Sequence, residues 1–449
     1  MESWSLVNGW LPWTVTAAGM AALAGLLVAR RRAFWTGTLP ALLAGVASVV
    51  VISEVLVDRV WRPFPDRLPV NNLVWCGIGL LGVGLGVARL RRLRWWARPV
   101  AVVAAVAVLA ASVVQVNAYW ALFPTVHAVN DALRAPPTGL APPTGPEAGV
   151  PSGAKLLSAW RPPSGMPDSG TVTQVQIPGT VSAFPARAGY VYVPPAYRVS
   201  PRPMLPVLVL LAGQPGSPKD WFTFFGLAAT ADEFAREHRG LAPVIVVPDD
   251  LGSVLANPLC VDSPLGNAET YLATDVPAWI RTHLQVTDDH RDWFIGGMSH
   301  GGTCSLQLAV RAPQVYSGFV DISGQREPTL GSRARTLQRA FGGSATAFAR
   351  VNPLDILAHT RYPHTAGLLV VGAADQGYLP QQRDVQNACT AAGMDITWEE
   401  LPGGHTAAVW REGVVRALPW LGMHAGINSP TVQRLTRRTR ERHPGAGFR

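Results

Sequence analysis

Four apolar runs, at roughly residues 11–29, 37–57, 72–90 and 99–118, constrain this chain more than any other feature. Each is close to the ~20 residues a helix needs to cross a hydrocarbon core of ~30 Å. The first run does not read as a cleavable signal, because its basic cluster Arg30-Arg31-Arg32 follows the apolar stretch instead of preceding it. Four retained transmembrane helices are therefore expected. The glycines of the third (Gly77, Gly79, Gly82, Gly84 and Gly86) suit close helix packing.

Arginine asymmetry sets the expected orientation. The loops after the first and third runs carry Arg30, Arg31 and Arg32, and Arg89, Arg91, Arg92, Arg94 and Arg98. The loop between the second and third carries Arg59, Arg62 and Arg67, offset by Asp58 and Asp66. Basic loops stay in the cytoplasm, so both termini and everything after residue 120 are expected outside. The expectation is a multi-pass cell-membrane protein with an extracytoplasmic C-terminal part.

Composition agrees: 48% of residues are apolar and 15% charged, and the apolar excess lies before residue 120. The net charge of +9 comes from the membrane-flanking arginines and a tail from Arg434 to Arg442, with no nucleic-acid motif beside it. Nucleic acid is thus not an expected partner. Of the four cysteines, Cys76 lies in an apolar run. Outside the cell Cys260 and Cys304 are free to pair; three separate buried thiols at Cys260, Cys304 and Cys389 are the alternative.

Residues 135–165, with "APPTGLAPPTGPEAGVPSGA", cannot build a core and read as a linker. Four regions follow: a four-helix transmembrane region over 1–120, a Pro/Gly/Ala-rich linker over 121–170, a catalytic domain over 171–425 and a basic disordered tail over 426–449. Within the third, short apolar runs at Gly189–Val193, Leu205–Leu211, Pro243–Val247, Trp293–Ile295, Gly367–Val371 and Ile396–Glu399 alternate with helical stretches. Those stretches are Phe222–Glu237, Glu269–Leu284, Gly302–Val310, Arg383–Ala392 and Ala407–Leu418. Alternation of this kind predicts an α/β fold, a mostly parallel sheet with helices on both faces.

The segment "GGMSHGG" follows the run Trp293-Phe294-Ile295 and contains Gly297-Met298-Ser299-His300-Gly301, a G-x-S-x-G pattern. Its glycines permit an abrupt strand-to-helix turn that lifts the serine oxygen. Serine is a poor nucleophile at neutral pH and needs a base, itself held by an acid. Asp375 follows the strand "GLLVVGA" and His405 follows "ITWEELPGG", giving the order Ser, Asp, His found in α/β-hydrolases. The oxyanion donors expected are the backbone N–H of His300 and that of Gln214, in the turn after "LPVLVLLAG". Asp249 and Asp250 are candidates either for the border of the substrate pocket or for loop caps. Glu269 is a candidate for substrate contact or for bracing the loop near the nucleophile, Trp410 for packing the histidine-bearing helix, and Trp221 for the core. No metal-ligand spacing of His or Cys and no phosphate-binding loop is found, so no cofactor or metal is expected.

In order along the chain, "LLAGQPGSPKDW", "VIVVPDD", "NAETYLATDVPAWI", "GGMSHGGTCSLQLA", "GAADQGY" and "LPGGHTAAVWR" resemble the putative-esterase family of α/β-hydrolases. That family includes esterase D type enzymes, feruloyl esterases and mycolyltransferases, and the resemblance covers roughly residues 175–420. It implies an α/β-hydrolase fold with Ser299 as nucleophile, Asp375 as acid and His405 as base. Many family members have His-Gly or Asp-Gly where this chain has Ala212-Gly213. Many use glutamate as the acid, which makes Glu399 or Glu400 the fallback for Asp375. The N-terminal region is similar to multi-helix anchors on such domains in actinobacterial membrane proteins. The expected activity is a membrane-anchored serine esterase or acyltransferase acting on an envelope-associated ester: a lipid, an aminoacyl-lipid or an acylated glycan. A catalytically silent envelope-binding protein of the same fold is the alternative. Transport by the helices is disfavoured, because Glu54 is their one acidic residue and lies near a helix end.

Overall fold

Helices that are apolar all round need an apolar surrounding. The computed structural model of the chain describes residues 4–29, 31–62, 66–91, 93–132, 152–153 and 156–427. It divides into two compact units, with residues 1–134 forming the body of the first. In that unit helices α1 (Trp10–Leu27), α2 (Phe34–Trp61), α3 (Val70–Leu90) and α4 (Trp95–Trp120) are each long and apolar enough to cross a membrane. Among the described residues, the exposed large apolar side chains lie in this unit apart from Val181, Val254, Leu255, Val415 and Met423. Exposed Trp10, Trp13, Trp35, Trp61, Trp95 and Trp96 sit at or near helix ends, where interfacial aromatic residues collect.

The glycines of α3 do close-packing work against α4. A Cβ at Gly82 would stand 2.5 Å from Val108 Cγ1, and one at Gly86 would stand 2.8 Å from Ala105 Cβ. Leu85 and Val108 are buried at this seam. Arg89 donates from Nε and Nη2 to Leu26 O at 3.0 and 2.8 Å, satisfying a carbonyl that the end of α1 leaves open.

In the second unit, runs of Val, Ile and Leu supply the sheet. Its strands are β1 (Thr171–Val175), β2 (Gly189–Val193), β3 (Val207–Leu211), β4 (Val244–Val247), β5 (Trp293–Met298), β6 (Gly318–Ile322), β7 (Ala366–Gly372) and β8 (Asp395–Leu401). They lie in the order β1-β2-β4-β3-β5-β6-β7-β8. β2 is antiparallel to β1 and β4, and every pairing from β4 to β8 is parallel. β3 and β5 are buried along their whole length, as expected of central strands covered on both faces. The covering helices include α5 (Leu227–Glu237), α6 (Val276–His283), α7 (His300–Arg311), α8 (Leu379–Ala391) and α9 (Ala407–His424). This is the mostly parallel α/β arrangement expected from the alternation of runs.

Several boundaries differ from the sequence reading. The helix expected over 222–237 is broken at Gly226, which takes φ 63°, and resumes as α5. β1 and β6 are additional strands. Leu156 and Trp160 are buried, and Trp160 Nε1 donates to Arg239 O at 3.0 Å. Leu157 N donates to Gly426 O at 3.2 Å, so the second unit reaches back past residue 171 into the expected linker. Residues 133–151 and 154–155 of that linker, and the basic tail from 428 onward, lie outside the described residues.

Candidate active site

The C-terminal ends of parallel strands gather one constellation, the place where an open α/β sheet presents its reactive groups. Ser299 stands between β5 and α7 with φ 51° and ψ −116°, a conformation L-residues rarely adopt. The glycines around it are there because backbones meet. A Cβ at Gly297 would lie 2.3 Å from Gly301 C, and one at Gly301 would lie 2.5 Å from Leu211 O and 2.6 Å from Ala212 O. Ser299 N donates to Ile322 O at 2.8 Å, tying the turn to β6.

His405, on the loop between β8 and α9, has Nε2 at 2.9 Å from Ser299 Oγ. Its Nδ1 lies 2.9 Å from Asp375 Oδ2, at the turn after β7. Asp375 Oδ1 accepts the Tyr378 N–H at 3.1 Å, which fixes the carboxylate. Three residues separated by 106 positions are thus joined by hydrogen-bond distances. Of the two fallback acids, Glu400 pairs with Arg383 at 2.8 Å and is engaged elsewhere.

The surroundings of His405 include residues that the sequence did not single out. The Tyr378 ring stacks on the imidazole with centroids 3.9 Å apart and planes 18° apart. Trp410 meets it edge-on at 5.0 Å and also contacts Phe225, consistent with a packing role. Gln325 Nε2 donates to Tyr378 Oη at 3.1 Å, Gln325 Oε1 accepts from Thr303 Oγ1 at 3.1 Å, and Gln325 N donates to Thr303 Oγ1 at 2.8 Å. These contacts run from α7 through the end of β6 to the turn after β7. The one available signal was Tyr378, three residues beyond Asp375 in sequence.

His300 opens α7, so its N–H belongs to the first turn and has no intrahelical acceptor. Gln214 sits in the turn after β3, where Arg187 Nη2 donates to Gly216 O at 3.1 Å and Gln214 Nε2 donates to Leu255 O at 3.1 Å. Arg187 is in turn paired with buried Asp249, with Nη2 to Oδ1 at 2.6 Å and Nε to Oδ2 at 2.9 Å. Asp249 therefore braces the turn after β3 from behind.

Two candidates for substrate contact are placed elsewhere. Asp250 is wholly buried, with Oδ1 accepting the Ala212 N–H at 3.2 Å, and so cannot touch a substrate in the cleft. Burial, with Asp249 beside it, pushes its carboxyl up to about 8. Glu269 accepts from Arg311 Nε at 2.7 Å, in the last turn of α7. A helix rises 1.5 Å per residue, which sets Arg311 roughly 16 Å from the nucleophile end. Glu269 braces the far end of that helix. Trp221 is fully buried and donates from Nε1 to Leu211 O at 3.0 Å, as a core residue. Cys260 and Cys304 are joined in a disulfide, with Cys389 a separate buried thiol. A cleft of about 870 Å³ beside His290, Arg291, Thr365 and His424 opens at the opposite ends of the strands, away from Ser299.

Residues 186–421 match the family model described as Putative esterase. An uncharacterised protein of Corynebacterium glutamicum is 35% identical over 424 residues, covering 90% of this chain and 93% of that one. That match extends well outside residues 186–421, into the N-terminal helical unit. Among solved structures, a ferulic acid esterase is 18% identical with a TM-score of 0.49, covering 58% of this chain and 100% of its own. An S-formylglutathione hydrolase from Agrobacterium tumefaciens is 19% identical with a TM-score of 0.47, covering 58% and 97%.

Proposed function

The chain belongs to the Putative esterase family, whose fold and hydrolase chemistry it shares, and on that premise we propose a membrane-anchored serine esterase or acyltransferase working through an acyl-Ser299 intermediate. The observation that carries the reading is the pair of 2.9 Å contacts made by His405, one to Ser299 Oγ and one to Asp375 Oδ2. His405 Nε2 takes the serine proton as Oγ attacks the ester carbonyl. Asp375 holds the tautomer and stabilises the imidazolium. The N–H groups of His300 and Gln214 receive the oxyanion. His405 then returns the proton to the leaving alcohol, and a second oxygen nucleophile, activated in the same way, releases the acyl group.

Water as that nucleophile makes an esterase; a sugar or lipid hydroxyl makes an acyltransferase. The four apolar helices favour a substrate in or beside the membrane, since tethering raises effective concentration. The arginine-rich loops after α1 and α3 favour a cytoplasmic side for those loops and an extracytoplasmic catalytic unit. An envelope-associated ester, whether lipid, aminoacyl-lipid or acylated glycan, is the substrate class that meets both conditions.

Incubation of the purified chain and its Ser299→Ala variant with a short-chain p-nitrophenyl ester, with and without a glycerol or sugar acceptor, tests this reading. Loss of turnover in the variant is expected, and the ratio of free acid to transferred ester distinguishes the two reactions. Equal turnover by both proteins contradicts it.

A further inference from the structure

Directly behind Ser299 lies a second cluster of side chains that take no part in the acyl-transfer steps. His300 and Cys304 are one turn apart on the same face of α7. Cys260 ends the long loop after β4, and Asp250 stands where that strand ends. All four are buried, and one ligand atom from each lies within 4.8 Å of the other three. His300 Nε2 is 3.6 Å from Cys260 Sγ, 3.4 Å from Cys304 Sγ and 3.8 Å from Asp250 Oδ2.

A disulfide accounts for the two sulfurs but not for the other two groups. Asp250 Oδ2 has no hydrogen-bond partner although the residue is 0% exposed. At 3.8 Å its approach to His300 is too long for a hydrogen bond. A buried carboxyl oxygen without a partner is costly. The four groups suit another arrangement once the disulfide opens and its sulfurs separate. Metal–sulfur bonds of roughly 2.3 Å and metal–nitrogen or metal–oxygen bonds of roughly 2.0 Å, set tetrahedrally, separate the ligand atoms by roughly 3.3–3.8 Å. The 3.4 and 3.6 Å from His300 to the two sulfurs match the roughly 3.5 Å of a nitrogen–metal–sulfur pair, whereas the 3.8 Å to Asp250 exceeds the roughly 3.3 Å of a nitrogen–metal–oxygen pair and must close on metal binding.

We propose that the dithiol form of Cys260 and Cys304 completes, with His300 Nε2 and Asp250 Oδ2, a closed four-ligand site for a zinc-class divalent metal. A dithiol reductant supplies the two electrons: the Cys260–Cys304 bond breaks, the reductant's sulfurs join, and its two protons pass to the cysteine sulfurs. Metal binding then releases those two protons to solvent and forms two metal–thiolate bonds. Oxidation by a disulfide of the same class reverses the exchange and expels the metal. Mixed thiolate, imidazole and carboxylate donors in tetrahedral array suit zinc or cobalt, not calcium or magnesium. All four positions are filled by protein, so the metal is structural. Its place is specific: His300 also supplies a backbone N–H beside Ser299, and Asp250 Oδ1 holds the Ala212 N–H at the end of β3. The disulfide ties α7 to the loop after β4, and the metal would add Asp250 and, through it, the end of β3. The sequence concealed the site because its ligands lie on three separate segments and only His300 and Cys304 share a short spacing.

The test uses the full chain in detergent. It is reduced with a phosphine, which takes its oxygen from water and leaves no competing thiol, and then titrated anaerobically with Co²⁺. One equivalent should bind with sulfur-to-cobalt charge-transfer absorption and the strong visible bands of a tetrahedral site. Zinc should bleach both, and the unreduced chain should show neither. Cys304→Ser should remove most of the charge-transfer intensity, and Asp250→Asn should weaken Co²⁺ binding by about tenfold or more. Zinc should also raise the melting temperature of the reduced wild-type chain, a readout that needs no variant. The proposal is overturned if the reduced, folded chain shows two newly titratable thiols yet no charge-transfer band. It is equally overturned if the bands survive in Cys304→Ser, or if the phosphine frees no thiols from the folded chain.

Discussion

Asp375 Oδ2 and His405 Nδ1 lie 2.9 Å apart, with the other carboxylate oxygen already held by the Tyr378 N–H. The carboxylate is therefore aimed by the turn after β7 before any substrate arrives. Replacing it by an amide keeps the shape but favours the wrong imidazole tautomer. Asp375→Asn should lower kcat on a short-chain ester by roughly 10⁴-fold, with little change in KM. Activity within tenfold of wild type would remove Asp375 from the mechanism and return attention to Glu399.

Tyr378 is expected to position the base without touching substrate. Its ring stacks on His405 and its hydroxyl accepts from Gln325. An aromatic pair of this kind contributes about 0.5–1.5 kcal/mol beyond burial. Tyr378→Leu should reduce kcat by roughly 3–10-fold and leave KM nearly unchanged, whereas Tyr378→Phe should retain most of the rate. Equal losses in the two variants would assign the effect to the hydroxyl instead of the ring.

Two glycines beside the site make opposite predictions. A Cβ at Gly301 meets backbone oxygens at 2.5 and 2.6 Å, while a Cβ at Gly404 finds its nearest neighbour, Ala374 O, at 3.9 Å. Gly301→Ala should abolish activity and lower the melting temperature, because α7 and β3 must separate. Gly404→Ala should fold normally and keep activity within severalfold. Circular dichroism melts and ester turnover on both variants check this contrast, and a well-folded, active Gly301→Ala would refute it.

Asp292 gives a pH dependence of stability with a definite sign. Burial, reinforced by Asp289, raises its carboxyl from the usual 3.8 to about 6. Between about pH 4 and pH 6 the folded chain holds a proton that the unfolded chain has released. Stability therefore falls as pH rises through that window and is level above it as far as this group is concerned. Asp321, raised by burial to about 7, acts with the same sign over a slightly wider window. Asp289, lowered to about 2 by Arg291, acts with the opposite sign only below about pH 4. Asp292→Asn should make the melting-temperature curve shallower between about pH 4 and pH 6, where Asp321 and Asp250 still contribute with the same sign, and leave the slope above pH 6 unchanged. An unchanged slope below pH 6 would show that this carboxyl does not titrate in the window.

The sequence pointed to the residues proposed to react because each follows an apolar run, and a parallel sheet gathers the C-terminal ends of its strands. Ser299 follows β5, Asp375 follows β7 and His405 follows β8. Strand β6 was hidden by Asp321, a carboxylate in mid-strand that is buried and held by the Gly324 N–H and Gln382 Nε2. Strand β1 was hidden by Thr171, Thr173 and Gln174, polar residues that an edge strand tolerates. The supporting contacts among Tyr378, Gln325 and Thr303 join three elements distant in sequence, and no spacing rule reports such a meeting. Asp250 was left open between pocket border and loop cap for a related reason. Its position after β4 suggested the cleft, but the chain turns it inward beneath Ala212.

Covalent labelling tests the central claim most directly, because only a serine activated by a neighbouring base reacts readily with a fluorophosphonate. The purified full chain should gain one fluorophosphonate adduct, mapped by peptide mass spectrometry to Ser299, and labelling should be lost in Ser299→Ala and much slowed in His405→Ala. An unlabelled wild-type chain, or an adduct on any residue other than Ser299, would contradict the account.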